Sequence, residues 1–379
     1  MKKYSQIYVH KKTDVQQHAM QKQAKRLYVV EKLKEYFADD ANLKSRFESL
    51  TNFARNIRST EYHVTNACNI RCKGCWFYEY AHDKETHEEK NLHALEVFLE
   101  EEIIKRKINN ALVIGGEPAL FLDRLSIYRK KMKYLTISSN GLKKIPQEGF
   151  ENVTIGLRLF GGGVLDDQLR AIKPSGHRFT GLFEKALENY NHDLRAIFIY
   201  AVTEDGIQYI EDTIKKIRDN GNIASFNFYS KYGTENPSAL AHRNELKEEV
   251  LRVKALYPET VISHPYYIKT MIDGQSHWDS FRYENCPSIS CDHPAHASRL
   301  NNGFPTLPFF NTWSADLKTL KYCCTSGHCD GCRDSQAVFS WLMINMAEFL
   351  DSAENFQVWI EIAESYWSQF YWSPFSRNQ

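Results

Sequence analysis

The chain has 379 residues, with 48 Lys and Arg against 47 Asp and Glu, so its formal charge of +1 gives no global field to favour a phosphate backbone or an anionic membrane surface. A charged fraction of 25%, a hydrophobic fraction of 42% and a mean hydropathy of -0.51 describe a globular protein, and no uninterrupted apolar run approaches the roughly 20 residues that span a bilayer. The opening MKKYSQIYVHKK has no apolar targeting core, which points to a reducing cytoplasm, where nine cysteines are more easily metal ligands than a disulfide framework.

Residues 1–58 read as a helical segment, with Leu27, Val30, Leu33 and Phe37, then Leu43, Phe47, Leu50 and Phe53, at roughly helical spacing. Between 59 and 270 the texture changes to short apolar runs at 61–65, 110–116, 134–140, 153–159, 196–202 and 224–230. Helical stretches such as Leu92 to Lys107 and Ile207 to Asn220 separate them. Parallel strands buried on both faces read this way, which predicts an α/β fold, a partial (β/α)6 TIM-like barrel with ligands at the C-terminal ends of its strands. Residues 271–335 form a candidate second, cysteine-rich domain, within which FFNTWSADLKTLKYCC reads as a hairpin turning near Ala315 and Asp316. Residues 336–379 return to helix, and their aromatic stripe fits a packed helix or a dimer surface better than a substrate channel.

Cys68, Cys72 and Cys75 fall in ACNIRCKGCW, directly after the first strand. Three thiolates in so short a loop suit a soft-metal site that leaves one position without a protein sulfur. A cubic four-iron, four-sulfur cluster can use that open iron, whereas a structural zinc site wants four protein ligands and would need Cys286 or a histidine such as His63. A redox dithiol of Cys72 and Cys75 would leave Cys68 idle. The Cys-x3-Cys-x2-Cys spacing resembles the signature of the radical S-adenosylmethionine (radical SAM) superfamily, except that Gly74 stands where an aromatic usually precedes the last cysteine. The resemblance implies a [4Fe-4S] cluster on these cysteines whose open iron binds S-adenosyl-L-methionine, and reductive cleavage of that cofactor to a 5'-deoxyadenosyl radical. It also implies that Gly115, Gly116, Glu117 and Pro118 meet the cofactor amino group, that Ser138 is the first choice for the ribose among Ser138, Ser139 and Asn140, and that Arg158 reaches the methionyl carboxylate. A surface ion pair is the competing reading for Arg158.

The other six cysteines are Cys286, Cys291, Cys323, Cys324, Cys329 and Cys332. Their pattern is similar to the auxiliary-cluster domains of radical SAM maturases, of SPASM or shorter twitch type. The resemblance implies one auxiliary iron-sulfur cluster, of [4Fe-4S] type, on Cys286, Cys323, Cys329 and Cys332, with Cys324 and Cys291 as alternatives and zinc as a competing occupant.

Hydrogen abstraction by such a radical needs a water-excluding barrel. Tyr200, Tyr229 and His264 are candidate substrate-facing groups near strand ends, each with a structural role as the competing reading. The 67 residues before Cys68 look too short and too purely helical for a peptide-leader module, so a small-molecule substrate is expected ahead of a ribosomally made precursor peptide, which is the runner-up. A flavodoxin- or ferredoxin-like protein is the expected electron donor, because no flavin or nicotinamide fingerprint is present. A metal-stabilised binding module without catalysis is the alternative of another class.

Overall fold

The computed structural model describes residues 23–79, 81–228, 240–274, 312–321 and 333–377. Its centre is one eight-stranded sheet. Six of its strands, all parallel, make the barrel: β1 (Ser59–His63), β2 (Asn110–Ile114), β3 (Tyr134–Ser139), β4 (Thr154–Leu159), β5 (Ala196–Val202) and β6 (Ile223–Phe228). They neighbour one another in chain order, as the sequence predicts for a partial barrel. Crossover helices Leu92–Arg106, Leu122–Lys131, Leu182–Asn189 and Ile210–Asp219 connect them. The strands have two buried faces because alternate side chains point oppositely. Tyr62 and Val113 turn outward into the main core, whereas Glu61, Leu112, Ser138, Arg158 and Ile199 line an interior cavity.

The hairpin expected near 315 and 316 is present, as β7 (Thr312–Trp313) and β8 (Leu320–Lys321). The Asp316 carboxylate fastens its turn by accepting from the backbone of Lys318 and Thr319 and from the Thr319 hydroxyl. It does not stand apart from the barrel: β7 pairs in parallel with β1, Glu61 opposite Thr312 and Tyr62 opposite Trp313. At the other edge, Ala224 exchanges backbone hydrogen bonds with Thr260 and Ile262 at 2.8 and 2.9 Å. Beyond it, helix Pro265–Asp273 packs on helix Ser335–Ile344, with the rings of Tyr267 and Phe339 stacked 3.9 Å apart.

The two outer helical segments meet each other. Helix Ala41–Arg55 lies against helix Ala353–Ser368, where Arg46 grips Glu364 through two hydrogen bonds of 3.0 and 2.7 Å. Phe47 meets Phe356 and Trp359, and Phe53 meets Trp367 edge-on at 5.1 Å. The aromatic stripe is thus buried within the chain, as a packed helix. The residues that follow reach the N-terminal ends of the strands: the Tyr371 backbone N–H donates to Thr154 Oγ1 and the Trp372 indole to Thr136 Oγ1. Gln369 and Phe370 line the cavity from this side. Among the described residues no helix is long and apolar enough to cross a membrane.

Candidate active site

One cavity of about 700 Å³ occupies the barrel interior, within the range that takes a cofactor-sized ligand. Cys68, Cys72 and Cys75, all half-buried and outside any disulfide, line it together with Gly115, Gly116, Glu117, Ser138 and Arg158. The loop that carries the cysteines is clipped on two sides. On one side Gly116 N–H donates to Thr65 O and Glu117 N–H to Ala67 O, each at 2.8 Å. On the other, Arg71 N–H donates to Ile172 O at 2.6 Å and Lys73 N–H to Leu169 O at 2.7 Å. The glycines are required by contact: a Cβ at Gly116 would sit 2.0 Å from Ala67 O, and one at Gly115, whose φ is +131°, 2.6 Å from Thr65 O. Gly74 has a φ of 66°, a left-handed conformation that explains why glycine replaces the expected aromatic there.

Burial pushes the Cys68 thiol up to about 12 and the Cys75 thiol up to about 11, and raises Cys72 as well, although the Arg170 guanidinium hydrogen-bonds Cys72 and pulls the other way. Thiolates therefore need compensating positive charge here, which a bound metal group supplies. Arg170 is itself buried, paired with Asp166 at 2.8 Å and donating to the Arg158 carbonyl. Among the described residues no three of His, Cys, Asp or Glu are gathered tightly enough to hold a metal ion as they stand, so the fit to a cluster rests on the donor set, three soft sulfurs on one loop facing one cavity.

Glu117 is buried, and its carboxylate accepts from Ala119 N–H at 2.9 Å, Ser139 Oγ at 2.8 Å and Asn140 N–H at 2.8 Å. Burial raises its pKa, and these donors oppose the rise. A carboxylate has about four acceptor sites, so one remains for a ligand donor. Pro118 opens a 3-10 turn behind it and does not line the cavity. Arg158 is no surface ion pair: it faces the cavity, and its Nε donates to Ser138 Oγ at 3.0 Å. Ser139 and Asn140 are held by Glu117, and the Asn140 amide donates to Asn69 at 2.7 Å, which leaves Ser138 the least engaged of the three.

Tyr200 lies on the outer face of β5 and does not line the cavity, and His264 caps helix Pro265–Asp273 while facing Glu361. Tyr229, Cys286, Cys291, Cys323, Cys324, Cys329 and Cys332 fall outside the described residues. Several cavity groups escape sequence reasoning, Arg170 and Asn110 among them, and two of them are carboxylates. Glu61 on β1 accepts from Thr312 Oγ1 at 3.0 Å, and burial pushes its carboxyl up to about 7. Asp334, the N-cap of helix Ser335–Ile344, also lines the cavity. Glu61 carried a signal, a charge inside an apolar strand like that of Arg158; Asp334 carried only that of a helix start.

The family model described as Radical SAM superfamily matches residues 62–246. Among solved structures, the chain is similar to histidine-tagged anSMEcpe with bound AdoMet, at 14% identity over 76% of this chain and 83% of that one, with a TM-score of 0.48. It is similar to native anSMEcpe with bound AdoMet and Cp18Cys peptide, at 15% over 76% and 82%, TM-score 0.46. A third likeness is to the FeFe-hydrogenase maturase HydG from Carboxydothermus hydrogenoformans, at 13% over 88% and 85%, TM-score 0.38. No curated protein matches the chain in sequence.

Proposed function

We propose, from the match of residues 62–246 to the radical SAM superfamily model, that the chain cleaves S-adenosyl-L-methionine reductively and uses the resulting radical to take hydrogen from a substrate held in the barrel. The observation that carries this reading is the convergence of the Cys68, Cys72 and Cys75 loop, the Gly115–Gly116–Glu117 turn and Arg158 on one cavity at the C-terminal ends of parallel strands. When bound by the three cysteines, a four-iron, four-sulfur cluster supplies the electron that splits the cofactor's sulfonium. The protein's own part is to bind and shield. Glu117 offers its remaining acceptor site and neighbouring carbonyls to the methionyl ammonium, Ser138 its hydroxyl to the ribose, and Arg158 its guanidinium to the carboxylate. The walls of the barrel exclude water from a radical that would react with any C–H bond it met.

A flavodoxin- or ferredoxin-like donor is part of the proposal, as is an auxiliary cluster on Cys286, Cys323, Cys329 and Cys332, with Cys324 and Cys291 in reserve. The division of the chain at 58, 270 and 335 is also part of the proposal, with the 271–335 unit contributing β7 to the barrel sheet. The cavity of about 700 Å³ lies within the range of ligand pockets and would be shared by cofactor and substrate. A side chain on a peptide suits that space as well as a small metabolite does.

The test is made anaerobically on reconstituted protein, by iron content and dithionite-dependent 5'-deoxyadenosine formation, beside a variant with Cys68→Ala, Cys72→Ala and Cys75→Ala. About eight irons falling to about four, with cleavage abolished, is the expected result. Zinc in well-folded protein without cofactor cleavage would overturn it. Candidate peptides and metabolites are then compared by their stimulation of 5'-deoxyadenosine release.

A further inference from the structure

The charged groups of the cavity do not balance. Its described lining carries the carboxylates of Glu61, Glu117 and Asp334 against the guanidiniums of Arg158 and Arg170. Arg170 is matched by Asp166 at 2.8 Å, and Glu117 is held by three donors, with its one remaining acceptor site assigned to the methionyl ammonium. What remains is Arg158 facing two carboxylates from different elements, Glu61 on β1 and Asp334 at a helix start.

Each of those carboxylates is only half used. Glu61 Oε1 accepts from the Thr312 hydroxyl, and Asp334 Oδ1 from the backbone N–H groups of Gln336 and Ala337, each at 3.0 Å. The second oxygen of each accepts no hydrogen bond among the described residues. An independent acceptor sits beside them. Asn110 is 3% exposed and lines the same cavity; its amide donates to Ser59 Oγ at 2.7 Å, while its Oδ1 has no partner. By the pairing of β1 with β2, in which Ser59 opposes Asn110 and Glu61 opposes Leu112, Asn110 lies one inward-facing position below Glu61. Glu61 is half-buried and Asp334 exposed, whereas the Asn110 oxygen is buried without a partner. Burial holds part of the Glu61 carboxyl protonated, and a ligand that brings donors and positive charge completes the acceptors and lets Glu61 ionise.

Resting on the reading of this cavity as the substrate chamber, we infer that Glu61 and Asp334, with Asn110 below, bind a cationic group of the substrate, a primary ammonium or a guanidinium. A guanidinium would meet the carboxylates through paired donors, and an ammonium through its three. The site selects against substrates whose reacting end is anionic or carries only apolar atoms.

The experiment is isothermal titration of the reconstituted, S-adenosylmethionine-loaded enzyme with putrescine and agmatine, using butanediol as the uncharged control. Both cations should bind and butanediol should not. Glu61→Gln should weaken cation binding by about tenfold, the expected loss of one charge-assisted contact. Asp334→Asn should weaken it similarly while keeping its helix, because asparagine caps as well as aspartate. Failure of both cations to bind, or equal binding by wild type and Glu61→Gln, overturns the inference. Deoxyadenosine formation is followed in the same preparations. Cation binding without cleavage would refute the enzymatic reading and leave the site standing, and cleavage without cation binding would do the reverse.

Discussion

Gly116→Ala should damage both the stability of the barrel and its capacity for iron. The added Cβ would lie 2.0 Å from Ala67 O and 2.4 Å from Ala67 C, atoms of backbone and not the yielding end of a side chain. Cβ atoms essentially never approach closer than 3.0 Å, so the loop must retreat by about 1 Å, carrying Cys68 with it. Two hydrogen bonds of 2.8 Å, Gly116 N–H to Thr65 O and Glu117 N–H to Ala67 O, are stretched or broken in the process. At about 1 kcal/mol each, added to about 1–3 kcal/mol for overpacking, the loss should be about 3–5 kcal/mol. A cysteine displaced by about 1 Å exceeds the roughly 0.2 Å tolerance of metal-ligand distances, so reconstitution should load less iron. Gly149→Ala is the control: its φ is +79° but a Cβ there meets nothing within 4 Å, so it reports the backbone penalty alone, about 1–2 kcal/mol. Urea midpoints and iron counts for both variants provide the assay. Gly116→Ala within about 1 kcal/mol of wild type, with unchanged iron, would refute the argument that this glycine holds the cysteine loop in place.

Other perturbations test other contacts. Glu117→Ala strands three buried donors, and equilibrium unfolding should show a loss of about 3–5 kcal/mol. Arg195 is 1% exposed, grips Asp193 through 2.9 and 2.6 Å contacts and donates to the carbonyls of Ile145, Pro146 and Phe150. Arg195→Met leaves a buried carboxylate uncompensated and should cost about 3–5 kcal/mol, read from the denaturant midpoint. The Glu61 carboxyl is raised from 4.5 to about 7 by burial, against the pull of the Thr312 hydroxyl and Arg158 and with the push of Asp334. The folded chain therefore keeps a proton that the unfolded chain loses, and this group's stabilisation, full below about pH 4.5, should decline by about 3 kcal/mol as the pH rises to about 7. Glu61→Gln should remove that slope, so that its stability gains on wild type from pH 5 to pH 8; parallel curves would rule out the raised value.

The parallel strands were legible because a strand covered on both faces must be apolar nearly throughout, and β5 matches its predicted 196–202 span. Where the boundary moved, a specific contact moved it. The sequence predicts the first strand over 61–65, but it spans Ser59–His63, because Thr65 turns its carbonyl to the glycine loop. That shift also hid Glu61, which as the first residue of a strand would sit on the rim but as the third faces the cavity. The predicted helix over 207–220 begins as a 3-10 turn, Glu204–Tyr209, before Ile210–Asp219 continues it. The pairing of β7 with β1 had no local signal, since a two-residue strand has no period to detect and its partner is some 250 residues away. The cysteine spacing and the glycine turn were read at once, since both are local in sequence. The unbalanced carboxylates were not, since Glu61 and Asp334 meet only after the barrel has closed.

The meeting of helices Ala41–Arg55 and Ala353–Ser368 also constrains the order in which the molecule is made. Residues 353–372 leave the ribosome after every strand of the parallel run, yet Trp372 and Tyr371 bond to Thr136 and Thr154 near the starts of β3 and β4. Contacts of such long range delay folding, because the chain must close a large loop before they can form. During synthesis the nascent barrel is therefore open at its base, with Phe47 packed on Phe37 and Phe53 near Tyr134 but both still without Phe356, Trp359 and Trp367. Such a species is prone to aggregation, and any ligand that entered before those partners arrived would meet a chamber still open to water.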